Sequence, residues 1–367
     1  FFIELCAFWT LAVVPETAIA RHGDQWCLSH PLPVSGSHTL EHWRVRDRIR
    51  LRRNNRYWDA ANTRNEVIDL LPVETPETAI NLYEAGQADI IWDKGLVPTE
   101  LLDALSPRPD FHRFDYLGTY FVRFNTTKKP LDDPRVRKAM ALAIDKARLV
   151  AKYTKGGERP AGHFVPPGTG DYTSPSGPGH DPGLAKRLLA EAGYPGGNGF
   201  PADFEYLFNS SPLNKNIAVE LQHMWRETLG IQVKLRQAEH KVYLAAQSAL
   251  DYHITRSSWI GDYNDPNTFL DMFMARNGNN RTGWANADYD QLIRLANATP
   301  DLAKRNGLFR QAETILIANE LPIAPLFFYV GINIYEPDRI GGIHPNILDI
   351  HPVNAIHTIN PGQPVKK

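Results

Sequence analysis

The sequence of 367 residues has little cysteine, no excess of charge of either sign and no apolar run long enough for a bilayer. Its two cysteines, Cys6 and Cys27, exclude a disulfide framework and a cysteine-rich zinc site, and leave open either a single bridge or two isolated thiols. The formal net charge of −1 argues against nucleic acid as the main partner, because binding to phosphates needs clustered Lys and Arg.

Seven arginines between Arg44 and Arg56 are the exception to this balance of charge. They are interleaved with Val45, Ile49 and Leu51, and such alternation is typical of a β-strand with one solvated face. A nucleic-acid patch is the alternative, and base rates favour the solvated strand face.

Strand and helix patterns alternate along the chain, which predicts an α/β protein. The succession of strand 66–72, helix 77–84 and strand 89–91 predicts a βαβ unit, and strand 204–208, helix 217–229 and strand 231–235 predict another. The remaining predicted elements are strands at 39–43, 48–53, 120–125 and 321–329, and helices that start at Asp133 and span 183–192 and 301–319.

The Gly- and Pro-rich stretch 156–182 contains four potential metal ligands: His163, Asp171, His180 and Asp181. Their spacing fits no tetrahedral template, and the stretch has no regular frame to fix ligands. We interpret it as a loop.

The segment 256–266 places Arg256, Trp259 and Asp262 within seven residues. Its start is rich in β-forming residues, and Gly261 with the turn sequence 264–266 ends the strand. Such a segment could offer backbone hydrogen bonds, an aromatic wall and a fixed negative charge to one ligand.

Trp259-Ile-Gly-Asp-Tyr-Asn-Asp-Pro266 resembles the ligand-contacting segment of extracellular solute-binding protein family 5, the oligopeptide- and dipeptide-binding proteins of bacterial ABC importers. A second motif of this family joins a strand to a helix, and its positions are filled here by Asn125, Pro130, Asp133, Arg135, Val136, Arg137, Ala139, Ala143, Ile144 and Asp145. We expect the arginines of that helix to anchor it to the neighbouring lobe. The resemblance extends over nearly the whole chain.

The start of the chain has an apolar run and a small-residue sequence at 18–20, but no Lys or Arg before Arg21 and an acid, Glu4, inside the run. Residues 1–26 resemble an internal stretch of the family instead. We therefore expect the chain to be the C-terminal two-thirds of a longer protein, with an export signal upstream.

The resemblance implies a periplasmic-binding-protein type II-like α/β fold with two lobes joined by a hinge, from which the N-terminal part of the family fold is missing. Residues 1–124 would form the first lobe, without its leading strands and the small extra lobe. Residues 125–337 would form the second lobe with the ligand segment, and 338–367 would return to the first.

The resemblance also assigns site residues. Asp262 would bind the α-amino group of a peptide, whereas the residues alone equally allow it to cap the turn at 264–266. Trp259 would pack over the peptide or lie in the core, and Arg256 would meet a carboxylate or form an internal ion pair. The other candidates are Ser257 and Ser258 (through their backbone groups), Tyr263, Asn264, the possible wall residues Tyr116 and Tyr120, and Asn214, which replaces a family histidine.

The function implied is that of the substrate-binding component of an ABC transporter, which captures short peptides between two lobes and delivers them to the membrane permease. A sugar, a nickel complex or another non-peptide solute remains an alternative, as does the sensing domain of a regulator. We expect a monomer in the periplasm or outside the cell, with lipid anchoring left open, and neither cofactor, metal nor nucleic acid.

Asp262 and Asp265 could form a hydrolytic pair, but the adjacent proline turn and the lack of a nucleophile, zincin or phosphate-loop motif argue against an enzyme.

Overall fold

The computed structural model describes residues 5–6, 8–28 and 31–359. Its contacts divide the chain into two compact units. The central unit is Asp115–Val330, and the outer unit comprises the described residues of Phe2–Phe114 and Gly331–Lys367.

The elements follow one another in the order α1 (Glu16–His22), β1 (His38–Arg44), β2 (Arg48–Arg53), β3 (Val67–Leu70), α2 (Pro76–Glu84), α3 (Leu102–Leu105), β4 (Phe111–Phe124), α4 (Pro134–Leu142), α5 (Lys146–Leu149), β5 (Arg159–Pro160), α6 (Pro182–Glu191), β6 (Glu205–Asn209), α7 (Pro212–Leu229), β7 (Lys234–Ala238), α8 (His240–Ser248), β8 (Ile254–Ile260), α9 (Asn267–Leu270), α10 (Ala287–Ala298), α11 (Leu302–Thr314), β9 (Ile323–Ile334), β10 (Ile340–Gly341) and β11 (His357–Thr358). The chain passes from one unit to the other within β4 and again within β9. The helix predicted at 301–319 is α11 and a π-helical turn over Ile315–Asn319 that continues it.

In the outer unit, β1, β2 and β3 form an antiparallel sheet, which confirms the predicted pair of strands. The arginines of β2 are paired with acids on the neighbouring strands. Arg50 donates to both carboxylate oxygens of Asp69 at 2.7 and 2.6 Å, and Arg52 pairs with Glu41 at 2.5 Å. Ion pairs on a solvated strand face therefore account for much of the arginine cluster.

The βαβ unit predicted at 66–91 is wrong. Strand β3 lies antiparallel to β2, and the stretch predicted as the next strand makes only an isolated antiparallel bridge, between Ile91 and Ile334. The short apolar run at 89–91 does not distinguish a parallel strand from such a bridge.

In the central unit, six strands form one mixed sheet in the order β5-β9-β4-β8-β6-β7. Strand β6, helix α7 and parallel strand β7 confirm the second predicted βαβ unit. Helix α7 begins after Ser211, whose hydroxyl accepts from the backbone N–H of Asn214, and ends at Gly230 in the left-handed conformation. Its buried face, with Ile217, Leu221 and Trp225, packs in the main core.

Helix α4 is held inside its own unit. Arg137 is buried, and its guanidinium donates to the carbonyls of Leu131 at 2.8 Å and of Leu321 at 3.2 Å, as well as to that of Glu320. The expected anchoring of this helix to the neighbouring lobe is therefore wrong for Arg137, because its partners all belong to the central unit.

The stretch predicted as a loop at 156–182 contains only the two-residue strand β5, and a buried acid fixes it. Oε1 of Glu313 accepts from the backbone N–H groups of Phe164 and Val165 at 2.8 and 2.9 Å, and Oε2 accepts from the Tyr172 hydroxyl at 2.7 Å. His163, one of the potential metal ligands, contacts the Val165 carbonyl through Nδ1 at 2.7 Å.

Candidate functional site

The segment singled out in the sequence forms strand β8 and the loop that follows it. Strand β8 pairs antiparallel with β4 and parallel with β6, so both of its edges are used. It ends at Gly261, whose backbone N–H donates to the Leu117 carbonyl at 2.8 Å. A Cβ atom at position 261 would lie 2.5 Å from Leu117 Cδ2 and 3.1 Å from Phe269 Cε2, so a side chain there would force the Leu117 side chain to move.

Alternation along β8 separates its candidate residues. Side chains at successive strand positions point to opposite faces, which places Arg256 and Ser258 on one face and Ser257 and Trp259 on the other. The arginine and the aromatic ring therefore do not share a face of the strand, although the sequence suggested one combined surface.

On the first face, the structure brings Arg256, Tyr120 and Asn214 into one buried cluster. The Arg256 guanidinium lies 4.9 Å from the centre of the Tyr120 ring, and its Nη2 donates to the Tyr329 hydroxyl at 3.3 Å. The Tyr120 hydroxyl donates to Asn214 Oδ1 at 3.2 Å. Tyr120 is only 1% exposed, so it is a core residue of this unit as well as a neighbour of Arg256.

The polar atoms of Asn214 are fully hydrogen-bonded within the protein, whereas those of Arg256 are not. Asn214 Nδ2 donates to both oxygens of Asn209, at 3.2 and 3.0 Å, so its amide is occupied at both ends. Arg256 forms no ion pair with a described carboxylate, and its buried Nε–H has no partner among the described residues. The guanidinium therefore retains donor capacity and an uncompensated charge.

The second face contains an arginine that the sequence analysis did not select. Arg123 is buried, and it donates through Nε to the Ser257 hydroxyl at 3.0 Å and through Nη1 to the Asn279 carbonyl at 2.7 Å. Burial lowers the pKa of Arg123 to about 10. The Ser257 side chain is thus engaged in the core, beyond the backbone role expected for it. A single charged residue inside the apolar strand 120–124 was the available signal.

The aromatic candidate on this face, Trp259, lies opposite Thr119 of β4 and is half-buried. Its indole N–H is enclosed and has no acceptor among the described residues. Tyr116 is also half-buried and lies in β4 before the part of that strand that pairs with β8.

Asp262 is the first acid of the loop after β8. Its backbone N–H donates to the Thr268 hydroxyl at 3.1 Å, while its side chain is exposed. No described residue donates to its carboxylate or forms an ion pair with it. Even so, the protein that surrounds the carboxyl withdraws part of its hydration and raises the pKa of Asp262.

The turn is capped by Asp265 instead. Its Oδ1 accepts from the Asn267 backbone N–H at 2.9 Å, and both carboxylate oxygens accept from Arg305, at 2.7 and 2.8 Å. Both partners are buried. Asp262 is therefore not needed as the cap that the sequence allowed it to be.

The two residues between these acids also have partners inside the protein. Asn264 Oδ1 accepts from the backbone N–H of Gly170 at 3.0 Å. The buried Tyr263 hydroxyl accepts from Asn267 Nδ2 at 2.9 Å.

A second acid beside Asp262, Asp271, was missed by the sequence analysis. It follows α9 directly, and burial first and the charge of Asp262 second raise its pKa to about 6. In the sequence it stands in the run Phe269-Leu-Asp-Met-Phe273, where only its isolation among apolar residues distinguishes it.

Among the described residues no three or more His, Cys, Asp or Glu side chains are grouped so that they could hold a metal ion. None of the helices in the same residues has the length and apolar character required to cross a membrane.

Comparison with known proteins shows similarity over most of the chain. The oligopeptide-binding protein OppA of Salmonella typhimurium is 31% identical over 351 residues, which cover 93% of this chain and 63% of that protein. YgiS of Escherichia coli, described as a probable deoxycholate-binding periplasmic protein, is 32% identical over 349 residues, 93% of this chain and 64% of that protein. The chain thus spans slightly less than two thirds of the length of these relatives.

Solved structures agree with these relatives. A periplasmic oligopeptide-binding protein of Borrelia burgdorferi superposes with a TM-score of 0.86 at 31% identity, with 98% of this chain and 71% of that chain covered. The murein tripeptide binding protein MppA of Escherichia coli gives a TM-score of 0.84 at 29% identity, with 98% and 71% covered. The fold is thus of the type II periplasmic-binding-protein class, as predicted.

The profile of the bacterial extracellular solute-binding proteins, family 5 Middle, matches residues 7–281. The chain belongs to this family.

Proposed function

We propose that this chain is the substrate-binding component of an ABC importer and that Asp262 holds the α-ammonium group of a short peptide. The observation that carries the proposal is the carboxylate of Asp262, which has no partner among the described residues although the protein partly desolvates it. An ammonium group supplies three donors and the compensating charge. The relatives named for oligopeptide binding support the same ligand class.

Arg256 is the proposed partner of the peptide's carboxylate end. Its charge is uncompensated among the described residues and its Nε–H is unpaired. Arg256 and Asp262 are six residues apart, so their Cα atoms are separated by at most about 20 Å along an extended chain. This upper limit leaves room for a peptide of up to about five residues.

We infer binding without catalysis. The two acids that could have formed a hydrolytic pair have different roles, since Asp265 is committed to Arg305 by two hydrogen bonds. Delivery to a membrane permease and a location in the periplasm or outside the cell belong to the same proposal, and the periplasmic relatives support them.

A bile acid is a second candidate ligand, because one relative is described as a probable deoxycholate-binding protein. Such a ligand carries a carboxylate and no ammonium. It could satisfy Arg256, but it would leave Asp262 without a counter-charge.

The proposal is tested by native mass spectrometry and isothermal titration calorimetry on the 367-residue chain. We expect co-purifying adducts that resolve into peptides of about two to five residues. Asp262→Asn should weaken binding of a tripeptide at least about 100-fold, because the ammonium loses its counter-charge. Asp203→Asn, at an exposed acid elsewhere in the central unit, is the control and should bind like the parent.

An N-acetylated tripeptide provides the complementary change on the ligand. It should bind the parent chain about as weakly as the free tripeptide binds Asp262→Asn, and the two changes together should add little further loss. Equal binding of the free and acetylated peptides would contradict the role of Asp262. A single non-peptide adduct that peptides do not displace would contradict the ligand class.

A further inference from the structure

Two acids, Asp262 in the loop after β8 and Asp271 directly after α9, interact electrostatically, and neither has a cationic partner among the described residues. The backbone N–H of Asp262 donates to the Thr268 hydroxyl at 3.1 Å, and Asp271 Oδ2 lies 3.5 Å from Nδ2 of the adjacent Asn267, so α9 brings the two acids into one neighbourhood. The charge of Asp262 accordingly contributes to the raised pKa of Asp271. No Lys, Arg or His among the described residues forms an ion pair with either one. With both ionised, this part of the site carries two uncompensated negative charges.

A buried amide, that of Asn267, lies beside Asp271. Asn267 is 4% exposed, and its Nδ2 donates to the Tyr263 hydroxyl at 2.9 Å and lies 3.5 Å from Asp271 Oδ2. The other end of this amide, Oδ1, is buried and has no donor among the described residues. A buried acceptor left unpaired is costly, so a donor from a ligand would gain more here than at a solvated position.

We propose that Asp271 is a specificity-determining residue that receives the cationic side chain of a Lys or Arg at the first position of a bound peptide. This inference rests on the proposed function, in which Asp262 holds the α-ammonium of the same residue. Two separate cations on one residue match two separate carboxylates, whereas a neutral first residue leaves Asp271 uncompensated. Desolvation makes such pairing selective, because a charge that is buried without a partner is penalised.

A divalent metal ion is a poorer match for the same charges. Metal sites in proteins need three or more protein ligands or several retained waters, and no such group of His, Cys, Asp and Glu occurs among the described residues. An ammonium or guanidinium needs only hydrogen-bond acceptors, which Asp262, Asp271 and Asn267 provide.

The preference should depend on pH. The titratable groups that act electrostatically with Asp271 are Asp262 and the phenols of Tyr263 and Tyr289, and the phenols stay neutral below pH 9. Asp271 has a pKa of about 6, so it is ionised at pH 7.5 and largely protonated at pH 5. Selection for a cationic first residue should therefore be stronger at pH 7.5.

The test is calorimetric titration with two matched tripeptides, Lys-Ala-Ala and norleucine-Ala-Ala, whose first side chains differ in charge and little in shape. We expect the parent chain to bind the lysine peptide about tenfold more tightly at pH 7.5 and the preference to shrink at pH 5. Asp271→Asn should abolish the preference by weakening the lysine peptide alone, and Asp271→Glu should restore part of it. Thermal melting of each variant checks that it is folded.

The outcomes separate this inference from the proposed function. If the parent binds both peptides without preference, or if Asp271→Asn retains the preference, Asp271 is not the determinant, while peptide capture stands. Asp262→Asn should weaken both peptides. If neither peptide binds the folded parent, the proposed function fails and the role of Asp271 fails with it.

Discussion

The three acids from the end of β8 to the C-cap of α9 are held in two different ways. Asp265 is buried against Arg305, with two hydrogen bonds and a full counter-charge. Asp262, three residues earlier, and Asp271, six residues later, have raised pKa values and no cationic partner among the described residues. Where the chain supplies its own counter-charge, an acid maintains the fold. Where the chain does not, the acid costs stability and is available to a ligand.

The largest expected effect concerns the compensated pair. Arg305→Met should lower the free energy of unfolding by about 3–5 kcal/mol, because it leaves Asp265 buried without a counter-charge. Equilibrium urea denaturation measures the change. Arg294→Met is the matched control: Arg294 is 61% exposed and lies 3.9 Å from Asp290, so its removal should change stability by less than about 1 kcal/mol. Similar losses in the two variants would erase the distinction between buried and exposed pairs.

An intermediate effect on the free energy of unfolding is expected for Asp271→Asn. Unlike Arg305→Met, this substitution should stabilise the protein. The pKa of Asp271 rises from 3.8 in an ordinary carboxyl to about 6 in the folded chain, so the folded state binds more protons between these values. The contribution of Asp271 to stability therefore falls as the pH rises from about 4 through 6. Asp271→Asn should raise the free energy of unfolding at pH 7.5 by about 2 kcal/mol and change it little at pH 4.

Urea denaturation of the parent and Asp271→Asn at several pH values measures this difference. If the variant were destabilised by the same amount at every pH, Asp271 would act through packing, and its charge would not be the cause.

The smallest effect on stability is expected at Asp262. Its side chain is exposed and accepts no hydrogen bond from a described residue, so Asp262→Asn should change the free energy of unfolding by no more than about 0.5 kcal/mol. The same variant is expected to lose ligand affinity strongly. A large loss of stability in the absence of ligand would mean that Asp262 belongs with the compensated acids.

Much of the fold was predictable from the sequence because local patterns and global structure agree. The βαβ unit at 204–238 has apolar strands on both sides of an amphipathic helix, and it forms as predicted. At 66–91 the pattern was the same, yet the partners of β3 are set by antiparallel pairing with β2, and Arg50 and Asp69 join those two strands. Such long-range pairing is not encoded in the periodicity of either strand.

Three of the residues selected from the sequence, Arg256, Tyr120 and Asn214, come together in the structure, and their role in binding stays a prediction. Because successive side chains of a strand point to opposite faces, the sequence could also have shown that Arg256 and Trp259, three residues apart, lie on opposite faces. Asp271 could not be found in this way. Its pKa depends on burial and on the nearby charge of Asp262, and both arise only when α9 folds beside the end of β8.

Gly261 has a consequence for attempts to change what this protein binds. The space that a side chain would need there is filled by Leu117 and Phe269, which come from a different strand and a later helix. In a mutant library restricted to 256–264, any replacement of this glycine would therefore force the buried Leu117 side chain to move. Smaller residues at 117 and 269 would have to be introduced together with the replacement at 261. Substitutions at these three positions are therefore coupled, although the positions are separated by up to about 150 residues in the sequence.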